Sequence, residues 1–249
     1  GLLGGHSGYD LLKNRGNAIL LIAQFLKTLD GDLASITSGT KNNVFPSSAK
    51  AIIWTDIEHI QNYIEEFLSK YHELYPSLTL NYELINHDGE CFLDTAEFLD
   101  FLACFPSRAL HYNLNHLVTT SINLGVIQDG YLEIGLRSSR KEEASKALLD
   151  LEEYAKEYGF VLKEEGYQPG FYSDANCQMI QLLQDTCSYS TPPEVTLAHI
   201  TVEVGFVQEK IPDLQVAIIS PKILNAHSTK ECVELHSVEL VDQWLIRFI

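Results

Sequence analysis

With 249 residues, of which 45% are apolar and 20% charged, the chain is long enough for one large or two modest domains. The formal net charge of −17 disfavours nucleic-acid binding, because so acidic a surface repels phosphate backbones. No apolar run approaches the roughly 18 residues of a membrane span, so no membrane contact is predicted.

The first 164 residues predict an antiparallel sheet with helices on one face, an α+β layer. Apolar residues at helical spacing predict four helices: 17–30 with Gly31 as its stop signal, 57–71 with Asp56 as its cap, 93–104 and 141–158. Alternating or β-branched runs predict six strands: 33–37, 49–54, 78–84, 118–127, 131–137 and 160–163. The clearest hairpin signal is Gln128-Asp129-Gly130, between the fourth and fifth of these strands.

The segment Gly166-Tyr167-Gln168-Pro169-Gly170 is the best candidate domain boundary, and it predicts domains at 1–164 and 165–249. Beyond it, helices are predicted at 175–187 and 238–248, with strands at 195–198 and 215–219. Strands that alternate with helices predict part of a parallel α/β sheet.

Five cysteines are scattered along the chain without CxxC spacing. The odd number and the wide spacing indicate reduced thiols rather than a disulfide framework or a zinc ribbon. A cytoplasmic location is therefore predicted.

The opening segment contains four glycines and His6 within eight residues. This composition predicts a tight loop whose backbone approaches another group closely. Taken alone, His6 is most simply a loop histidine that caps a nearby backbone group. The first residue is Gly1 rather than Met, from which we expect the chain to be a piece of a longer protein.

Gly-Gly-His-Ser-Gly at 4–8, followed by Arg-Gly-Asn-Ala at 15–18, resembles the opening of the lid domain in the aminoacylhistidine dipeptidases. These enzymes, also called cytosol non-specific dipeptidases, are di-metal exopeptidases related to carnosinase and to the glutamate carboxypeptidases. Further similar segments follow in family order: 120–125, 136–138, 166–167 with 173–176, His199 with Glu203 and Gly205, and 225–228. The resemblance implies a lid domain over 1–164, a homodimer formed through it, and the C-terminal part of an α/β zinc-exopeptidase catalytic domain over 165–249.

The resemblance implies a role for His6 as the donor that stabilises the oxyanion formed when water adds to the peptide carbonyl. In the family this histidine often serves the active site of the partner subunit. Asn123 and Arg137 would hold the free carboxylate of the dipeptide, which suits Arg137 because a guanidinium meets a carboxylate bidentately. Considered alone, a strand arginine and a turn-proximal asparagine are commonplace surface residues.

The resemblance makes His227 the last metal ligand of a site for two zinc ions, with manganese or cobalt as alternatives. A lone loop histidine is otherwise more often a surface residue. His199 and Glu203 match a motif near the metals and are expected to support the site or the fold.

The chain departs from the family pattern at several positions. Ile200-Thr201-Val202 stands where the family usually has Ala-Gly-Leu, Ser220 precedes Pro221 in place of glycine, and Thr229 replaces a proline. β-Branched residues in place of glycine are expected to narrow the pocket. A non-catalytic relative, whose lid serves dimerisation or ligand binding, is therefore an alternative, as is a related carboxypeptidase or deacylase.

In members of the family, the N-terminal half of the protein supplies most of the metal ligands and the general base. That half has no counterpart in this sequence. We therefore expect the parent protein to hydrolyse small unblocked dipeptides, of Xaa-His type or of broader range. We expect this chain to be inactive alone.

Overall fold

The computed structural model describes the whole chain except residues 93, 129, 172, 188, 190–194, 197–198, 225 and 227–230. Its strands are β1 (Gly5–His6), β2 (Gly31–Ser38), β3 (Val44–Phe45), β4 (Ala49–Thr55), β5 (Arg108–Tyr112), β6 (Val118–Gln128), β7 (Tyr131–Ser138), β8 (Ile223–Leu224) and β9 (Cys232–Val233). Its helices are α1 (Ala18–Leu26), α2 (Ile60–Tyr71), α3 (Thr95–Cys104), α4 (Lys141–Glu157), α5 (Gln178–Thr186), α6 (Val204–Lys210) and α7 (Leu235–Phe248).

A five-stranded antiparallel sheet organises residues 1–164. The long strand β6 pairs with β7 from Thr120 to Gln128, as the hairpin signal predicts. Its other edge pairs with β5 near its start and with β2 near its end, and β4 pairs with β2. The predicted antiparallel sheet is confirmed.

The core of this part lies between one face of the sheet and the helices. On β6, Ile122, Leu124 and Ile127 are buried and belong to the same apolar cluster as residues of α1, α2, α3 and α4. Two phenylalanines, Phe25 of α1 and Phe67 of α2, meet edge to face in this cluster. Burial of these side chains is the main stabilising contribution, at about 25 cal/mol per Å² of apolar surface.

The opposite face of the sheet carries polar and small residues. Ser121 is paired with Arg137, and Asn123 with Gly135, across β6 and β7. The loop around Asn42 approaches this face so closely that a Cβ at Gly135 would lie 2.7 Å from the Asn42 carbonyl oxygen. The absence of a side chain at position 135 is therefore what allows the loop to cover the sheet here.

Several predicted elements of residues 1–164 are wrong in detail. The segments 78–84 and 160–163 are not strands, although Leu78, Leu80, Phe160 and Leu162 pack against the core. Alternation specifies which side chains are buried and does not specify a backbone partner.

Two helix boundaries also differ from the prediction. Helix α1 ends at Leu26, where the Thr28 hydroxyl donates to the Phe25 carbonyl, and Gly31 instead begins β2. Asp56 does not cap α2, because its side chain accepts from the backbone of Glu58 in a turn before the helix. The short strands β1, β3 and β5 were not predicted.

The described residues of 165–249 form three helices and one short antiparallel pair, β8–β9. The Trp244 indole of α7 donates to the Leu183 carbonyl of α5 at 2.9 Å and joins those helices. The predicted strand 215–219 is not formed, although Val216 is buried and accepts a hydrogen bond from Ser173. The predicted strand 195–198 lies partly outside the described residues, and residues 195–196 are not in a strand. No parallel pair occurs in the part of the chain that the structure describes.

Helix α6 was not predicted, and the domain boundary near residue 165 stays a prediction. No helix among the described residues is long and apolar enough to cross a membrane.

Candidate functional site

His6 is held in place by a two-stranded ribbon. It lies on β1 opposite Val44 of β3, and its backbone N–H donates to the Asp10 carboxylate at 2.9 Å. That carboxylate also pairs with Lys13 and Arg15, which ties the loop to the Arg-Gly-Asn-Ala segment. The ribbon fixes where the His6 ring can lie.

The His6 ring is buried, and its hydrogen bonds define its tautomer. Its Nδ1 accepts from the backbone N–H of Gly8 at 3.1 Å and of Tyr9 at 2.9 Å. Because an atom that accepts two N–H donors carries no proton, the proton of the neutral ring lies on Nε2. His6 therefore caps its own loop, as expected from its position alone.

Gly8 marks the point where the side chains of His6 and Arg137 approach the backbone of His199. A Cβ built on Gly8 would lie 2.1 Å from the His199 carbonyl oxygen, 3.2 Å from Arg137 Nε and 3.2 Å from His6 Cε1. The glycine-rich loop thus approaches other groups closely, as its composition predicts. All of these groups belong to this chain.

Arg137 is a partly buried cation without an acidic partner among the residues that the structure describes. Its Nη1 donates to the Thr201 hydroxyl at 3.2 Å, while its Nε is buried and has no hydrogen-bond partner. Burial lowers the pKa of the Arg137 guanidinium below its ordinary value, and no carboxylate in the described part of the chain opposes this effect. A guanidinium held in this way is suited to bind an anion from solution, because a buried charge is stabilised by an opposite charge with good geometry.

His199 lies on the other side of this cation. Its Nε2 forms a 2.8 Å hydrogen bond with the Ser121 hydroxyl, which β6 presents on the same face as Arg137. Burial, together with electrostatic interaction with Arg137 and His6, lowers the pKa of His199 to about 4. His199 is therefore neutral at neutral pH and adds no second positive charge beside Arg137.

Asn123 is almost fully buried, and protein groups use all of its hydrogen-bonding capacity. Its Nδ2 donates to the carbonyls of Asn42 and Val44, at 2.9 and 3.0 Å. Its Oδ1 accepts from Ser107 at 3.2 Å and from Asn17 at 3.4 Å. In this conformation Asn123 anchors the ribbon that carries His6 and leaves no donor for a ligand; its predicted contact with a substrate carboxylate stays a prediction.

The two remaining predicted site residues lie elsewhere. Glu203 is exposed at the start of α6, and its carboxylate forms no hydrogen bond or ion pair with any described residue. His227, the predicted metal ligand, lies outside the described residues. Among the residues that the structure describes, no group of three or more His, Cys, Asp or Glu side chains is arranged to hold a metal ion.

Thr201 and Ser121 are functional neighbours that were not predicted as such. In the sequence, Thr201 stands out only as a departure from the family pattern, and Ser121 only as part of a similar segment. Neither residue type signals contact with a buried arginine or histidine, because a hydroxyl is compatible with most strand and loop positions.

Two comparisons with known proteins find relatives of this chain. The chain is 26% identical to the cytosol non-specific dipeptidase of Escherichia coli (strain K12) over 260 residues, which cover 96% of the chain and 53% of that protein. Its structure resembles the crystal structure of the aminoacylhistidine dipeptidase from Vibrio alginolyticus, with a TM-score of 0.79 and 25% identity. The resemblance to these dipeptidases is confirmed.

The structural similarity covers 99% of this chain and 55% of the Vibrio enzyme. The chain thus spans about half the length of the dipeptidases that it matches. No known family profile matches it. The homologues indicate a dipeptidase-family protein.

Proposed function

We propose that this chain is the substrate-binding portion of a metal-dependent dipeptidase that acts on small unblocked dipeptides. The observation that carries the proposal is the buried guanidinium of Arg137, which has an unpartnered Nε and lies next to His6 and His199. In this proposal, residues 1–164 are the lid domain and residues 165–249 the C-terminal part of the catalytic domain. A homodimer through residues 1–164 stays a prediction, as does a cytoplasmic location, which the five free cysteines favour.

Arg137 takes the free carboxylate of the dipeptide as its missing anionic partner. The pair is charge-assisted, and such pairs contribute about 1.5–3 kcal/mol of binding. In a longer peptide an uncharged peptide bond replaces this carboxylate. The guanidinium therefore favours substrates that end at this position. His199 is neutral and therefore does not compete for the carboxylate.

His6 donates its Nε2–H toward the carbonyl oxygen of the peptide bond that is hydrolysed. This oxygen becomes negative as water adds, and a fixed donor aimed at developing charge contributes about 3–4 kcal/mol. The backbone N–H groups of Gly8 and Tyr9 hold the ring in the required tautomer. The His6 ring therefore needs little reorientation when the oxyanion forms.

The described residues do not form a metal site, and no step is derived through a metal. We propose zinc as the metal, with manganese or cobalt as alternatives, and His227 as one of its ligands. Zinc would supply an activated water. With one proposed ligand in the sequence, we expect the 249-residue chain alone to show no metal-dependent hydrolysis.

The carboxylate role can be tested on the chain itself by following the side-chain Nε–H resonance of Arg137 by NMR. Titration with glycyl-leucine is expected to shift this resonance in a saturable manner. Glycyl-leucine amide, which lacks the carboxylate, is expected to leave it unchanged. The Arg137→Met variant identifies the resonance, and Arg108→Met, at an exposed arginine of β5, is the matched control.

Equal shifts with the acid and the amide would contradict the carboxylate role. The absence of any shift up to tens of millimolar dipeptide would contradict substrate binding by this surface altogether.

A non-catalytic binding protein is the second candidate function. The Thr201 hydroxyl already occupies one N–H of Arg137, and the Asn123 amide is fully used inside the protein. Both features reduce the donors available to a substrate. A non-catalytic binding protein would bind dipeptides without turnover in any longer form of the protein. A related deacylase would instead prefer N-acyl amino acids to dipeptides.

A further inference from the structure

A cavity lies on the helix side of the sheet, at the turn end of the β6–β7 hairpin. Its volume is about 290 Å³, and its floor is formed by Ile36, Ile127 and Leu132. Leu132 and Arg137 are five positions apart on β7, about 17 Å along the strand. They also face opposite sides of the sheet, so this cavity is separate from the candidate active site.

Aromatic rings form the walls of this cavity. Phe92 and Phe98 stack with ring centroids 5.0 Å apart, and Phe160 packs against Phe98 at 6.0 Å. Tyr131 and Phe92 stand at the mouth, where about half and about a third of their surfaces remain exposed. Such exposed rings around an apolar floor are typical of a small-molecule site.

Two carboxylates stand at the edge of the same cavity. Asp94 and Glu97 line it, both are exposed, and neither forms a hydrogen bond or ion pair through its carboxylate with any described residue. Asp94 occupies the N-cap position of α3 but makes no capping hydrogen bond through its side chain. The described lining contains no lysine, arginine or histidine, and the chain as a whole carries a net charge of −17.

We propose that this cavity binds a small organic ammonium ion that carries an aromatic ring. The ring packs between Phe98, Phe160 and the apolar floor, and the ammonium group lies at the mouth beside Asp94 and Glu97. The face of the Tyr131 ring adds cation–π attraction for the same group. The two carboxylates repel anions, so the site discriminates against the free carboxylates of dipeptides and amino acids.

The test uses isothermal titration calorimetry on the 249-residue chain with three probes of similar shape. Phenethylamine carries the positive charge, 2-phenylethanol is neutral, and 3-phenylpropionate is negative. We expect phenethylamine to bind about tenfold more tightly than 2-phenylethanol, because two carboxylates at the mouth favour the cation. We expect no measurable binding of 3-phenylpropionate.

The double variant Asp94→Asn/Glu97→Gln is expected to remove the preference for the amine. Its matched control is Glu152→Gln/Glu153→Gln, which changes the net charge equally at exposed positions of α4. In NMR spectra of the unmodified chain, phenethylamine is expected to shift the ring resonances of Phe98 and Phe160.

Three results would overturn the proposal. The first is equal affinity for the amine and the alcohol, which would indicate only a hydrophobic groove. The second is an amine preference that survives in the Asp94/Glu97 variant. The third is binding that leaves the Phe98 and Phe160 resonances unchanged.

Discussion

Asn123 and His6 are coupled through a single intervening residue, Val44. The Asn123 amide donates to the Val44 carbonyl at 3.0 Å, and Val44 is the cross-strand partner of His6. The same amide donates to the Asn42 carbonyl at 2.9 Å, so both of its hydrogens hold the segment that leads into β3. The position of the His6 ring therefore depends on a buried side chain of the central strand.

Replacing Asn123 by aspartate tests this coupling. The carboxylate would face the two carbonyls of Asn42 and Val44 without a hydrogen to donate, and we expect the free energy of unfolding to fall by about 2–4 kcal/mol. Chemical denaturation measures this loss, and NMR of the His6 ring reports whether the ribbon has moved. Asn115→Asp, at an exposed position, is the control. Equal stability of the two variants would contradict the anchoring role.

Gly8→Ala is expected to separate the opening loop from the segment that begins at His199. The new Cβ would lie 2.1 Å from the His199 carbonyl oxygen, so the backbone must shift. We expect the pKa of His199 to rise toward its ordinary value as its burial decreases, which NMR titration measures. Gly159→Ala, where φ is +74° and no atom lies within 4 Å of the new Cβ, introduces backbone strain alone. If the pKa of His199 in Gly8→Ala is the same as in the unmodified chain, the close packing is unimportant.

Arg137→Met is expected to stabilise the fold and to weaken dipeptide binding. An unpaired buried cation opposes folding, whereas methionine fills similar space without a charge, so we expect a gain of about 1 kcal/mol. The same change removes the proposed partner of the dipeptide carboxylate. Thermal denaturation and calorimetric titration with glycyl-leucine measure the two effects, and Arg108→Met controls for general loss of charge. A less stable variant would show that Arg137 is a structural residue.

His6 is expected to be found as the Nε2–H tautomer, because its Nδ1 accepts two backbone donors. Two-dimensional NMR that correlates ring nitrogens with ring protons distinguishes the tautomers directly. His6→Ala leaves both donors unsatisfied and is expected to cost about 1–2 kcal/mol of stability. His6→Asn supplies a side-chain acceptor at a similar position and should cost less. A proton found on Nδ1 would remove the geometric basis for the donor role.

The stability of the chain is expected to fall as the pH is lowered through the range in which His199 titrates. Its pKa is about 4 in the folded chain and near 6.5 when unfolded, so between these values the unfolded state binds more protons. The contribution of His199 to stability is complete above about pH 6.5, decreases as the pH falls toward 4, and changes little below that. We measure the free energy of unfolding by urea denaturation across this range. It should depend less steeply on pH in His199→Gln than in the exposed control His236→Gln. Identical slopes would contradict the burial of His199.

The sequence predicted most of the main elements of residues 1–164, because helical spacing and the β6–β7 hairpin are local signals. It did not predict that 78–84 and 160–163 pack against the core without a strand partner, since pairing depends on residues distant in the chain. Among the site residues, the resemblance pointed to His6, Arg137 and His199, which the structure places together. The full use of the Asn123 amide and the contact between Thr201 and Arg137 could not be predicted, because both depend on tertiary approach.

The candidate site joins segments that are far apart in the chain. The hydrogen bond between Ser121 and His199 spans 78 positions, and that between Asn123 and Val44 spans 79. Contacts of such separation form slowly, because the loops between them must first be closed. The β6–β7 hairpin can therefore form while the chain is still being synthesised, but the pocket around Arg137 must wait until residue 201 has left the ribosome. We expect the surface around Arg137 to be among the last features acquired during folding and among the first lost on partial unfolding.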